Sequence, residues 1–124
     1  MEQLSEQTDE EVAVALARFL DESGAQECVA LDVSQQSSFT DYFVIAGATS
    51  SAQIRGLQRR LHELLAEYGL NPRQGARRSD DSGWILLDCN TIVIHLMLDE
   101  QRRFYDLERL WFDARQLFPT DQDA

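Results

Sequence analysis

The residues able to do chemistry are few. His62, His95, Cys28 and Cys89 stand beside 22 carboxylates in a chain of 124 residues. A zinc site groups Cys and His at short, regular spacings, and neither histidine falls at such a spacing from either cysteine. Cys89 and His95 are close enough in sequence to form a thiolate–imidazole pair, but that arrangement is weakly specific. Metal-dependent phosphoryl transfer needs carboxylates converging from rigid elements. Asp80-Asp81 falls in a polar loop and Asp121-Gln122-Asp123 in a tail. The chain carries no Walker loop and no dinucleotide fingerprint. Gly47-Ala48-Thr49-Ser50-Ser51 precedes a helix and could receive a phosphate on backbone N–H groups, yet helix capping accounts for the same residues. The inventory predicts a protein that is not an enzyme, with no catalytic residue, no metal and no cofactor.

The elements that would position these groups follow from periodicity. Thr8 and Glu11 form a capping box ahead of a helix over 10–22, with Val12, Leu16, Phe19 and Leu20 on one face and Gly24 as its stop. Residues 28–33 read as a strand, followed by a polar loop, Ser34 to Ser38. Tyr42-Phe43-Val44-Ile45-Ala46 is apolar without alternation, as in a strand covered on both faces. Ser50 and Gln53 suggest a second capping box, opening an amphipathic helix marked by Ile54, Leu57, Leu61, Leu64, Leu65 and Tyr68 and closed by Gly69. Residues 73–82 are polar and could include a short edge strand. Trp84–Asp88 and Thr91–Met97 read as a hairpin turning at Cys89-Asn90. A last helix is expected over 100–117. The order predicts a single α/β domain, a mixed sheet with flanking helices, spanning 10–118. Residues 1–9 form an acidic, flexible leader and 119–124 an acidic tail.

The hairpin carries the strongest functional signal. Alternation puts Ile85, Leu87, Ile92, Ile94 and Leu96 on one aliphatic face, which is core. Trp84, Leu86, Asp88, Val93, His95 and Met97 share the other. The turn at Cys89-Asn90 would place Trp84 opposite His95. Tryptophan and methionine beside a carboxylate and a histidine suit a protein-binding patch; a helix covering the same face would suit them too. On the last helix, Phe104, Leu107, Leu110, Trp111, Ala114, Leu117 and Phe118 form the docking arc, while Tyr105 and Phe112 lie outside it with Glu108 between the groups.

Charge narrows the partners. The formal net charge is −11, and all 11 basic residues are arginines. Such an average disfavours direct nucleic-acid binding and steers toward basic protein surfaces. No apolar run is long enough for a membrane span, and two cysteines make no disulfide framework, so a cytoplasmic location is expected.

Four separated blocks carry a resemblance: Ser38-Phe39-Thr40-Asp41-Tyr42-Phe43-Val44-Ile45-Ala46, Gly83-Trp84-Ile85-Leu86-Leu87-Asp88, Val93-Ile94-His95 and Arg103-Phe104-Tyr105-Asp106-Leu107-Glu108-Arg109-Leu110-Trp111. In this order they resemble the ribosomal silencing factor family, also called the Iojap family. The resemblance runs from about Cys28 to Arg115. It implies a fold similar to nucleotidyltransferases without their catalytic carboxylates. It also implies binding to the large ribosomal subunit through its ribosomal protein fourteen, which blocks the small subunit and represses translation when nutrients run short. A role in large-subunit assembly is implied by relatives in organelles. Carried over by motif, the contact residues are Trp84, Asp88, His95, Tyr105, Asp106, Glu108 and Trp111, with Asp41 and Tyr42 as structural or contact residues; Leu86 and Met97 join from the alternation. Gln74-Gly75 departs from the family, many of whose members have Glu before the glycine. The alternatives are an enzyme retaining nucleotidyl or phosphoryl transfer on this scaffold, and a homodimer joined through the mixed hairpin face.

Overall fold

The computed structural model describes residues 7–38, 40–72, 83–105 and 113–120, with the backbone only for 103–105. The elements are α1 (Asp9–Glu22), β1 (Gln26–Asp32), β2 (Tyr42–Ala48), α2 (Ser51–Glu67), β3 (Trp84–Asp88), β4 (Ile92–Leu98), α3 (Asp99–Tyr105) and β5 (Arg115–Phe118). The five strands make one sheet in the order β3-β4-β2-β1-β5. Only β2 and β4 are parallel; the other neighbours run antiparallel.

Local chemistry sets the helix ends. Thr8 Oγ1 accepts from Glu11 N at 3.1 Å while Glu11 Oε1 accepts from Thr8 N at 3.0 Å, completing the capping box of α1. At α2 the reciprocal bond is displaced by one residue. Ser50 Oγ accepts from Gln53 N, but Gln53 Oε1 takes the backbone N–H of Thr49 at 2.8 Å. The freed amide of Gln53 then donates to Gly24 O at 3.0 Å, tying the start of α2 to the end of α1. Gly24 and Gly69 close the two helices at φ +98° and +77°, the left-handed region that a side chain disfavours.

The sheet is covered on both faces. Against one lie α1 and α2, with Leu16, Leu20, Leu57, Leu61 and Leu65 packed on Val44, Leu87, Ile92 and Ile94. On the other, Leu31, Val33, Phe43, Ile45, Val93 and Met97 form a second, smaller cluster, with Ala114 packed on it. The unbroken apolar run of β2 is explained by this double burial, and six of its seven residues are buried.

Two expectations are corrected. The helix expected over 100–117 does not reach its end: Arg115–Phe118 is an edge strand paired with β1, in which Ala30 partners Phe118 and Asp32 partners Arg115. Ala114, Leu117 and Phe118 fit a helical arc and a short strand equally, and the partner that decides between them lies over 80 residues away. The hairpin turn is also shifted by one residue. Cys89 N donates to Ile92 O at 2.9 Å, so Asn90-Thr91 is the turn, with Asn90 at φ +78° and its N–H capped by Asp88 Oδ1. Trp84 therefore faces Met97, and Leu86 faces His95. Moving the turn by one residue moves the register by two, so each side chain keeps its face.

Among the described residues no helix is long and apolar enough to cross a membrane. The leader before residue 7, the edge strand expected within 73–82, Gln74-Gly75, Asp80-Asp81, Leu107, Leu110, Phe112 and the tail Asp121-Gln122-Asp123 lie outside the described residues, as do the side chains of Phe104 and Tyr105.

Candidate functional site: the outer side of β3

Strand β3 lies at the end of the described sheet, and its alternate residues Trp84, Leu86 and Asp88 share one side. Each heads a row that crosses the sheet. Leu86 is paired with His95, and His95 with Ile45; Asp88 is paired with Val93, and Val93 with Phe43. Burial rises from β3 into the sheet, most clearly along the Leu86 row. Leu86 is 39% exposed, His95 5% and Ile45 0%. Leu86 is the exposed large hydrophobic side chain of the described residues, with Trp84 and Asp88 half-buried on either side.

This gradient corrects part of the sequence reading. His95 and Met97 are expected on an open patch, but both are buried, Met97 within the second cluster and His95 against its Phe43 ring. The unbroken apolar run of β2 marks a doubly covered strand but does not say which neighbour shares its cover: β4 does, whereas β1, on the other side of β2, is exposed at Gln26 and Glu27. Asp41 and Tyr42 lie elsewhere. The backbone N–H groups of both donate to Thr91 O, joining the start of β2 to the hairpin turn, and the Tyr42 side chain packs on the helix-side core. Tyr105, Asp106, Glu108 and Trp111 were expected at the site; no side-chain position is described for them.

His95 organises the site from beneath. Trp84 Nε1 donates to His95 Nδ1 at 3.1 Å, and the Phe43 ring meets the imidazole edge-on with centroids 4.9 Å apart. His95 Nε2 is buried with no hydrogen-bond partner among the described residues. Burial pushes its pKa down from 6.5 to about 4, so the ring is neutral at pH 7. Cys89 is not a proton-transfer partner for it, because Cys89 belongs to the helix-side core while His95 points to the opposite face. Burial also pushes the Cys89 thiol up to about 11 and the Cys28 thiol up to about 12. Neither is an activated nucleophile. His62 is exposed on α2, remote from both. What this arrangement offers is a contact surface: an indole held in place, an exposed leucine and a carboxylate.

The sequence profile of a family described as "Ribosomal silencing factor during starvation" matches residues 6–124. The chain belongs to this family. The ribosomal silencing factor RsfS of Zymomonas mobilis is 36% identical over 94 residues, covering 74% of this chain and 68% of its own. A Mus musculus protein named mitochondrial assembly of ribosomal large subunit protein 1 is 34% identical over 101 residues, 77% of this chain and 43% of that protein. A crystal structure from Chromobacterium violaceum matches with a TM-score of 0.74 at 26% identity, over 85% of this chain and 88% of the other. The mixed five-stranded sheet with its helices is thus the fold of a silencing-factor domain, and β3 carries one of the blocks by which the family resemblance was read.

Proposed function

We propose that this chain docks on the large ribosomal subunit through the outer side of β3, on the subunit's ribosomal protein fourteen, and excludes the small subunit by its bulk. Translation falls because the two subunits cannot join. The observation that carries the reading is Leu86, an exposed leucine flanked by Trp84 and Asp88 at the end of the sheet. Membership of the silencing-factor family supports it, and so does the net charge of −11, which steers the chain toward the basic surfaces typical of ribosomal proteins. Trp84 and Leu86 supply the desolvated anchor that slows release. Tyr105, Asp106, Glu108 and Trp111 belong to the same proposed surface by family motif alone. The name of the mouse relative supports a second role, assistance in large-subunit assembly.

A subunit-association assay by light scattering tests the proposal. Purified protein added to dissociated subunits should lower the scattering rise on raising Mg²⁺, and Leu86→Asp should restore it. Unimpeded association at saturating wild-type protein would overturn the reading.

A further inference from the structure

Net charge is an average, and helix α2 departs from it. Its first three turns hold Arg55, Arg59 and Arg60 without a carboxylate; Glu63 and Glu67 come only in the last turns. All three arginines are exposed, and among the described residues none has an ion-pair partner, although 22 carboxylates are present in the chain. At about 100° per residue, Arg55 and Arg59 flank one side of the outward face and Arg60 the other, with Ala52 and Gly56 between them. The result is a strip edged by guanidinium groups over the first three turns and closed by exposed Glu63, one turn beyond Arg59.

Gly56 is the second, independent observation. It lies in the interior of a 17-residue helix, where glycine is a poor helix former. A Cβ built there meets nothing within 4 Å. Internal packing gives no reason for a glycine, whereas close approach of a body from outside does.

We propose that the outward face of α2 is a second interaction surface, which binds the phosphate backbone of double-stranded RNA. Guanidinium forks match phosphate oxygens in pairs, and the glycine lets the sugar-phosphate chain lie close to the helix. A protein partner fits less well. Tight protein interfaces are built on a buried apolar anchor, and the exposed large hydrophobic of the described residues, Leu86, is on the other side of the sheet. The acidic first turns of α1 and α3 repel the same polyanion, which leaves α2 as the approach among the described helices. RNA rather than DNA follows from the ribosomal reading; the phosphate chemistry does not depend on that reading. Because α2 packs on one face of the sheet and Trp84 on the other, both surfaces can be engaged at once.

The test is fluorescence anisotropy of the full chain with a labelled RNA duplex of about two helical turns, titrated across salt. The variant Arg55→Gln/Arg59→Gln/Arg60→Gln should bind at least tenfold more weakly, and the slope of log affinity against log salt should flatten by about two to three. Gly56→Gln keeps every charge and adds bulk to the strip. It should weaken RNA binding several-fold while its melting temperature stays level or rises, which separates a blocked surface from a damaged fold. Trp84→Ala should leave RNA binding unchanged, so failure here and failure of the β3 docking surface are told apart. No saturable binding by the wild type at low salt would overturn the proposal, as would wild-type affinity in the triple-arginine variant. Displacement of the duplex by poly-glutamate at equal charge concentration would also overturn it, by assigning the face to an acidic protein.

Discussion

The indole N–H of Trp84 and the Nδ1 of His95 meet at 3.1 Å across the β3–β4 pair. Because Nδ1 accepts, the neutral ring carries its proton on Nε2, which is buried with no hydrogen-bond partner among the described residues. An unpaired buried donor costs about 1–3 kcal/mol. The side chain that gains is Trp84, whose half-buried indole is held beside exposed Leu86. His95 is therefore a positioning residue for the β3 surface and not a contact of its own.

The burial of His95 sets a pH dependence. The unfolded chain protonates His95 near 6.5 and the folded chain only near 4, because burial disfavours the charged ring. The unfolded state thus binds the proton first, and stability present above pH 6.5 is lost as pH falls toward 4. The loss reaches about 3 kcal/mol, at roughly 1.4 kcal/mol per unit. Urea unfolding at pH 7, 6, 5 and 4 should show this decline, and His95→Gln should flatten it. An equal slope in that variant would assign the acid sensitivity to other groups.

On the proposed docking, replacing Trp84 by Ala should weaken binding to ribosomal protein fourteen by about 2 kcal/mol, near thirtyfold, as truncated interface tryptophans do. The far-ultraviolet circular dichroism should stay native, since Trp84 packs only at the margin of the second cluster. Isothermal titration at two salt concentrations reads both terms: the anchor sets the loss at either salt, and the acidic surface sets the difference between salts.

Thr8→Ala removes the acceptor for Glu11 N and leaves the return bond from Thr8 N in place. The expected cost is about 1 kcal/mol in urea unfolding at neutral pH. Glu11→Ala should cost less, because Thr8 N is exposed and can turn to water.

Cys28 and Cys89 are buried and their thiols are pushed up to about 12 and 11, so at pH 8 almost none is thiolate. Aromatic disulfide reagents should label them only as fast as the fold opens, with complete and rapid labelling in denaturant. A fast native-state reaction would contradict the burial of both.

The parts legible in the sequence are those written by neighbours along the chain. The Thr8–Glu11 box, the closing roles of Gly24 and Gly69 and the double burial of β2 all depend on spacings within one element. The faces of the hairpin survived a misplaced turn because a one-residue slip of the turn preserves parity; Asn90, free to take φ +78°, decided where the turn falls. The parts that were not legible depend on distant partners. Arg115–Phe118 becomes a strand because β1 offers it an edge. His95 and Met97 are sealed because Phe43, Ile45, Leu31 and Ala114 come together around them, a convergence no window of sequence displays.

The pairing of β5 with β1 has a consequence for how the molecule is made. Residues 30–32 wait for residues 115–118 before that flank of the sheet is complete, and the parallel centre joins 42–48 to 92–98. During synthesis a half-made chain holds helices and one antiparallel pair but cannot seal its interior. Maturation of that flank therefore waits until residue 118 has been translated. Until then the sheet is open along β1, and the chain has no closed body to present to any partner.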